Sequence, residues 1–493
     1  AGDLNKVNWI EYMYSPSLQA VCERLGCVLA LPYGRSNTEF MGIGESDVRH
    51  VIDLVKQQVK IDPQRVVLSG ASMGGSGAYT IACHYPHEFA GVFTVTGRVD
   101  YYFWMGKPKE SFPRFKQVQI DTDYSRDLLG NLLHVPVFIG HGREDHLLTV
   151  EQSRLMQKLL RDRGQWVDYV EFPDGTHYIW SDTFEHDRLN AVLPKWAAPR
   201  APRKVQYRTY TLKYNRAYWV RIDGIWPWGE AAEVTAEIGA DGELALSTDN
   251  VTRLTLAADP DVPDHPLLGA LAAYDKRAAE KRPYATDKWS IRLRGKPVES
   301  VVTREGNTLT VIAGDGFDAG KGLRKTPALC GPVREAYDGP FIVVVPTQGA
   351  ESARGEAITA NRVAREWSEF AQGLAHVRND VQITDAEIAD FNLILCGGPE
   401  TNAVLKRIAG DLPVRIEPNE YVVGERRFPR KGNGLMMIYP NPLNPKRYVL
   451  VREGVLWGRS LSVNHKLDLV PDFIIYSDDV DRDGTMFQTN RSL

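Results

Sequence analysis

Apolar residues recur with two different periods along this chain, and the changes of period divide it in three. Through residue 198, short apolar runs alternate with stretches of helical spacing. Cys27–Leu31, Arg65–Leu68, Val135–Gly140 and Trp166–Phe172 predict strands. Between them, Val48, Val51, Ile52, Val55 and Val59 fall on one face of a helix over 45–59, and the small residues of 77–85 predict a helix lying close on a sheet. Ser15 followed by Pro16 starts a further helix, which Gly26 stops. Strands alternating with helices predict an α/β domain with a parallel sheet.

The spacing shifts after the basic, proline-bearing stretch 199–203, which reads as a linker. Beyond it, short strands separated by turn residues, among them Ala217–Ile222, Glu233–Ile238 and Thr308–Ile312, predict a β-sandwich-like domain interrupted by one helix over 266–281. From about residue 336 the alternation returns. Phe341–Val345 and Asn392–Cys396 read as strands, 355–372 as a helix, and Thr384-Asp385-Ala386-Glu387 as a capping box. This predicts a small, flavodoxin-like α/β domain. The expected division is therefore 1–198, 199–335 and 336–493. The turn Gly397–Asn402 reads either as a tight cap or as helix-terminal amides offered to an anion.

The chemistry concentrates in the first stretch. Gly70-Ala71-Ser72-Met73-Gly74 is a Gly-x-Ser-x-Gly sequence between a predicted strand and a predicted helix, the setting in which a strained turn exposes a nucleophilic serine. Such a serine needs a histidine base and a carboxylate to orient it, following in the order Ser, Asp or Glu, His. Asp145 stands in a loop just past the strand 135–140, with Glu144 beside it as the competing acid. His177 stands in the glycine-containing loop after the strand 166–172. All three residues fall at strand exits, the edge of a parallel sheet where open α/β folds carry their sites. His141 and His146 lie near the acid but precede or crowd it in the wrong place for the base, and read as loop or pocket residues. The amide of Met73 is the expected first donor of an oxyanion hole. The aromatic residues Tyr101, Tyr102 and Trp104, with Tyr178 and Trp180 after the histidine, are candidates for a pocket wall, or else an apolar plug over the sheet.

Charge and composition narrow the partners. A net charge of −4 gives no argument for nucleic-acid binding. No apolar run approaches the roughly 20 residues of a membrane span. Cys22, Cys27, Cys83, Cys330 and Cys396 show no metal-ligand spacing and read as reduced and mostly buried. No cofactor is expected. Asp479, Asp481 and Asp483 before Gly484 resemble the start of a calcium loop, but Asn490 falls where the bidentate acid belongs, so a solvated acidic turn is the competing reading.

With these motifs in view, residues 1–198 resemble an α/β-hydrolase of the serine esterase, prolyl-oligopeptidase-like and feruloyl-esterase-like group. The resemblance is carried by Leu31-Pro32-Tyr33-Gly34-Arg35, Gly42–Val48, Ile61–Val66, the serine turn, His141-Gly142 with Asp145, and Gly175-Thr176-His177. Residues 200–493 resemble the C-terminal part of large multidomain bacterial proteins of the same group. The resemblance implies the triad roles for Ser72, Asp145 and His177, and a periplasmic or secreted location. It also implies strands and an oxyanion loop ahead of the serine, which here is residue 72. The expectation is that a preceding segment of the same protein completes the sheet, and that a second oxyanion donor comes from the region of Gly2. Three functions compete. The first is hydrolysis of carboxylic esters, such as feruloyl or acetyl esters of plant polysaccharide. The second is peptide hydrolysis on the same fold. The third is a non-catalytic binding role on a retained scaffold.

Overall fold

The computed structural model describes residues 16–280, 288–314, 324–478, 480–483 and 486–488. These divide into two compact units, one holding the described residues up to Leu31 and from Val51 to Pro327, the other Pro32–His50 and the described residues from Ala328 on.

In the first unit, four parallel strands form one sheet in the order β1 (Val67–Ala71), β2 (Gly91–Val95), β3 (Val137–Gly142) and β4 (Val167–Phe172). Strands β2 and β3 are buried along their whole length, as their continuous apolar runs require when helices cover both faces. Helix α1 (Pro16–Leu25) adds Leu18 and Val21 to a core with Phe93, Phe138, Phe184 and Trp196. Helix α2 (Met73–His84) follows β1 and is buried from Gly75 onward.

One expected strand does not form. Cys27–Leu31 is not in a sheet, and Val28 is 55% exposed. Among the described residues no strand pairs with the edge of β1 that faces away from β2, and none pairs with 27–31. An apolar run becomes a strand only where a neighbour takes its amides and carbonyls.

The same unit carries two five-stranded sheets within 204–313. Ala232, Val234, Ala236 and Ile238 point inward with period two, while Glu233 and Glu237 point out. This β-rich part holds the C-terminal end of α2. Tyr207 Oη donates to the carbonyl of His84 (2.8 Å), and the buried Asn131 amide donates to the carbonyls of Cys83 and Arg208, each at 2.9 Å. The Tyr214 ring stacks on that of His84 with centroids 3.5 Å apart. The last carbonyls of a helix have no partner within it, and these contacts supply them.

The second unit is built on a six-stranded sheet. In chain order its strands are β5 (Phe341–Val345), β6 (His376–Asn379), β7 (Asn392–Cys396), β8 (Asn433–Asn441), β9 (Asn444–Gly454) and β10 (Phe473–Ser477). Across the sheet they run β6-β5-β7-β9-β8-β10. The start, β6-β5-β7 in parallel, is the flavodoxin-like order. The continuation differs, because β8 and β9 are joined by a hairpin closing at Asn441 and Asn444. Two residues can reverse a chain but cannot make a parallel crossover, so the sheet ends antiparallel. The capping box forms as read: Thr384 and Glu387 exchange side-chain and backbone hydrogen bonds. In the turn after β7, Asn402 Oδ1 accepts from the amides of Val404 and Leu405, and Asp380 accepts from Ala403. The anion reading of that turn therefore gives way to the cap. Among the described residues no helix is long and apolar enough to cross a membrane.

Candidate active site

The strand β1 and helix α2 meet in a turn with almost no room. A Cβ on Gly70 would overlap the carbonyl of Gly74, and one on Gly75 would lie 2.9 Å from the Cα of Gly97. Glycine is required at both positions by close backbone approach. Ser72 sits between them at φ 54° and ψ −117°, a conformation that costs a non-glycine residue about 1–3 kcal/mol. Hydrogen bonds hold it there: its amide donates to the carbonyl of Val95 (2.9 Å), and its carbonyl accepts from the amide of Ser76 (3.0 Å). Met73 is the first residue of α2, so its amide belongs to the turn whose N–H groups have no partner within the helix.

Asp145 lies three residues beyond the end of β3. Its side chain is buried. Oδ1 accepts from the amides of Leu147 and Leu148, both at 2.9 Å, and Oδ2 lies 2.7 Å from Nδ1 of His177. Glu144, its rival from the sequence, is exposed. His177 reaches this carboxylate because its loop lies directly on β3. A Cβ on Gly142 would overlap the carbonyl oxygens of Gly175 and Thr176, and the amide of Glu144 donates to Gly175 (2.9 Å). With Nδ1 bonded to Asp145, Nε2 is the ring nitrogen left to exchange a proton.

His141 braces the same loop. Its ring is buried, with Nδ1 2.7 Å from Ser153 Oγ, and Nε2 2.9 Å from the carbonyl of Leu148 and 3.4 Å from Asp145 Oδ2. Burial pushes its pKa below the usual histidine range, which keeps the imidazole neutral. A neutral ring donating from Nε2 to Leu148 and accepting from Ser153 satisfies both nitrogens, and it fixes the loop whose amides hold Asp145. Sequence alone suggests only a loop or pocket role for His141.

The segment after β2 bends sharply. Thr96 has φ 50°, and the amide of Arg98 donates to Ser76 Oγ (2.9 Å), one helical turn from Ser72. Gln152, on helix α4 (Glu151–Arg161), clamps this segment, accepting from the amides of Val99 and Asp100 and donating to the Asp100 carbonyl, each at 3.1 Å. A glutamine in the first turn of a helix carries no local sequence signal for such a task. In the segment's short helix α3 (Tyr101–Met105), the predicted aromatic wall separates into parts. Tyr101 and Tyr102 are buried; Tyr102 donates to Asp121 (3.0 Å) and meets Phe112 edge-on. Trp180 stacks on Phe184 at 5.3 Å and packs, partly buried, against the core of the sheet. With Tyr101 and Tyr102 buried and Trp180 partly buried, the arrangement suits the apolar-plug alternative for these three. Trp104 is half-buried with the Arg98 guanidinium 4.2 Å from its ring centroid, and Tyr178 is 72% exposed beside His177.

Gly2 and Asp479 lie outside the described residues. Asp481 and Asp483 stand in a two-stranded hairpin with Met486–Gln488 rather than in a loop. Among the described residues no group of three or more His, Cys, Asp or Glu side chains is arranged to hold a metal.

Residues 43–198 match the model of the prolyl oligopeptidase family. Over 150 residues the chain is 27% identical to an uncharacterized secreted protein of Arthroderma benhamiae, a match spanning 27% of this chain and 16% of that protein. It is 25% identical over 150 residues to acyl-protein thioesterase 1 of Gibberella zeae, spanning 30% of this chain and 56% of the thioesterase. The crystal structure of a thermostable esterase is similar over 31% of this chain and 36% of its own, at 22% identity and a TM-score of 0.24. Each of these matches spans less than two thirds of the relative's own length.

Proposed function

We propose that residues 43–198, which match the model of the prolyl oligopeptidase family, form a serine hydrolase domain that cleaves carboxylic esters through Ser72, His177 and Asp145. The observation that carries this reading is the 2.7 Å contact of His177 Nδ1 with a buried Asp145, downstream of a serine held at φ 54°. Nε2 of His177 takes the Ser72 proton as Oγ attacks the ester carbonyl. Asp145 holds the imidazole in the tautomer with its proton on Nδ1 and stabilises the charged ring that results. The Met73 amide donates to the developing oxyanion, an interaction worth on the order of 3 kcal/mol in the transition state. His177 then protonates the leaving alcohol, and water, deprotonated by the same nitrogen, releases the acid from Ser72.

Substrates of this reading are acyl esters, with feruloyl or acetyl esters of plant polysaccharide as the proposed class and a secreted or periplasmic setting. With Tyr101, Tyr102 and Trp180 committed to packing, Trp104 and Tyr178 are the candidate aromatics left to meet an acyl group. An ester panel with one leaving group and increasing acyl size is therefore expected to give acetyl and butyryl esters the higher kcat/KM. Faster turnover of hydroxycinnamoyl esters would favour the feruloyl member of the class instead. The family's name favours a second reading, peptide hydrolysis. Matched ester and amide substrates of one acid distinguish the two, and a preference for the amide would put peptide hydrolysis first.

A further inference from the structure

In the second unit, Arg452 on β9 is 8% exposed, and among the described residues no carboxylate lies within ion-pairing distance of it. Among the described residues its side chain makes one hydrogen bond, a long one, to Tyr337 Oη at 3.4 Å. A guanidinium carries five donors and cannot shed its charge, so a buried one is normally matched by an anion. Glu366, on helix α5 (Ala350–Ala371), borders the same space but is already paired with Lys466 (2.5 Å) and Arg362 (2.7 Å). Asp468 also borders the space and has an interaction of its own. Arg452 lines a cavity together with Lys466, Asn464, Tyr337 and Trp367. The Tyr337 and Trp367 rings stack at 5.4 Å to make one wall. Asn464 Oδ1 is buried and, among the described residues, accepts no hydrogen bond.

A cation short of acceptors and an amide oxygen short of a donor thus border one space of about 40 Å³. A water needs roughly 10–15 Å³ of such volume, so this space takes a group of a few heavy atoms. We propose that the cavity binds a small oxyanion that also carries an O–H, of the hydrogen-phosphate or α-hydroxycarboxylate kind. Arg452 and Lys466 hold the charge, and Asn464 accepts from the hydroxyl. The site lies in a part of the chain that the hydrolase reading does not use.

The test is the unfolding temperature of the full chain titrated with sodium phosphate, sulfate, glycolate and acetate, each against sodium chloride at equal ionic strength. A ligand that binds only the folded state raises that temperature in a saturable way. Phosphate and glycolate are expected to do so at lower concentration than sulfate and acetate, which lack the hydroxyl at neutral pH. Arg452→Lys keeps the charge but loses the fork, and Asn464→Asp sets a negative charge beside the ligand. Each is expected to weaken the apparent affinity by roughly tenfold or more. Should Arg452→Lys fail to fold, Asn464→Asp carries the comparison. The proposal is overturned if no anion gives a saturable shift, if sulfate and acetate equal their hydroxylated counterparts, or if the folded variants respond like the parent.

Discussion

Replacing Ser72 with alanine is expected to lower kcat for a short p-nitrophenyl ester by roughly six orders of magnitude, the scale seen when the nucleophile of a serine hydrolase is removed. Alanine keeps the Cβ and the strained backbone but leaves His177 with no hydroxyl to activate. The strain predicts a second effect that activity alone does not report. Glycine adopts φ near 54° without penalty, so Ser72→Gly should unfold at a higher temperature than Ser72→Ala while being equally inactive. Thermal melts of both variants beside the ester assay check the two effects together. An alanine variant that is folded and active would remove Ser72 from the chemistry.

Asp145→Asn is expected to cost about four orders of magnitude in kcat with the fold intact. The direction comes from the hydrogen bonds around the carboxylate. Oδ1 accepts from the amides of Leu147 and Leu148, so an asparagine must keep its oxygen there and turn its NH₂ toward His177. That NH₂ donates to Nδ1, which drives the imidazole proton onto Nε2, where it blocks uptake of the serine proton. Glu144 is exposed one residue away, and Glu144→Gln should change kcat by little. Circular dichroism and kcat for both variants check the contrast. Equal losses in the two would mean that charge in the loop, not the contact with His177, is what matters.

The parts of this chain that can be read from sequence are those whose requirements are local. The turn at Ser72 announces itself through Gly70 and Gly74 of its motif, and at Gly70 the demand comes from backbone only four residues away. The capping box of Thr384 and Glu387 is complete within four residues. What sequence leaves open depends on distant neighbours. Glu144 and Asp145 are adjacent and chemically alike, and what separates them is how the 145–148 turn folds back on itself. Cys27–Leu31 has the apolarity of a strand, yet apolarity cannot report whether an adjacent strand is there to pair with it. Tyr101, Tyr102 and Trp180 look like a wall when read as a run of aromatics; their directions are set by Asp121, Phe112 and Phe184, which arrive from elsewhere in the fold. The same holds for the six-stranded sheet. Its parallel start follows from strand and helix alternation, and its antiparallel end turns on the two residues between Asn441 and Asn444.

A fluorophosphonate reacts only with a serine that a folded site has activated, so labelling of the native full chain followed by peptide mass analysis tests the role of Ser72 most directly. A single adduct is predicted, on the peptide that holds Ser72, absent after denaturation and strongly reduced in Asp145→Asn. No adduct on the folded protein, or an adduct on another serine with Ser72 untouched, would contradict the assignment.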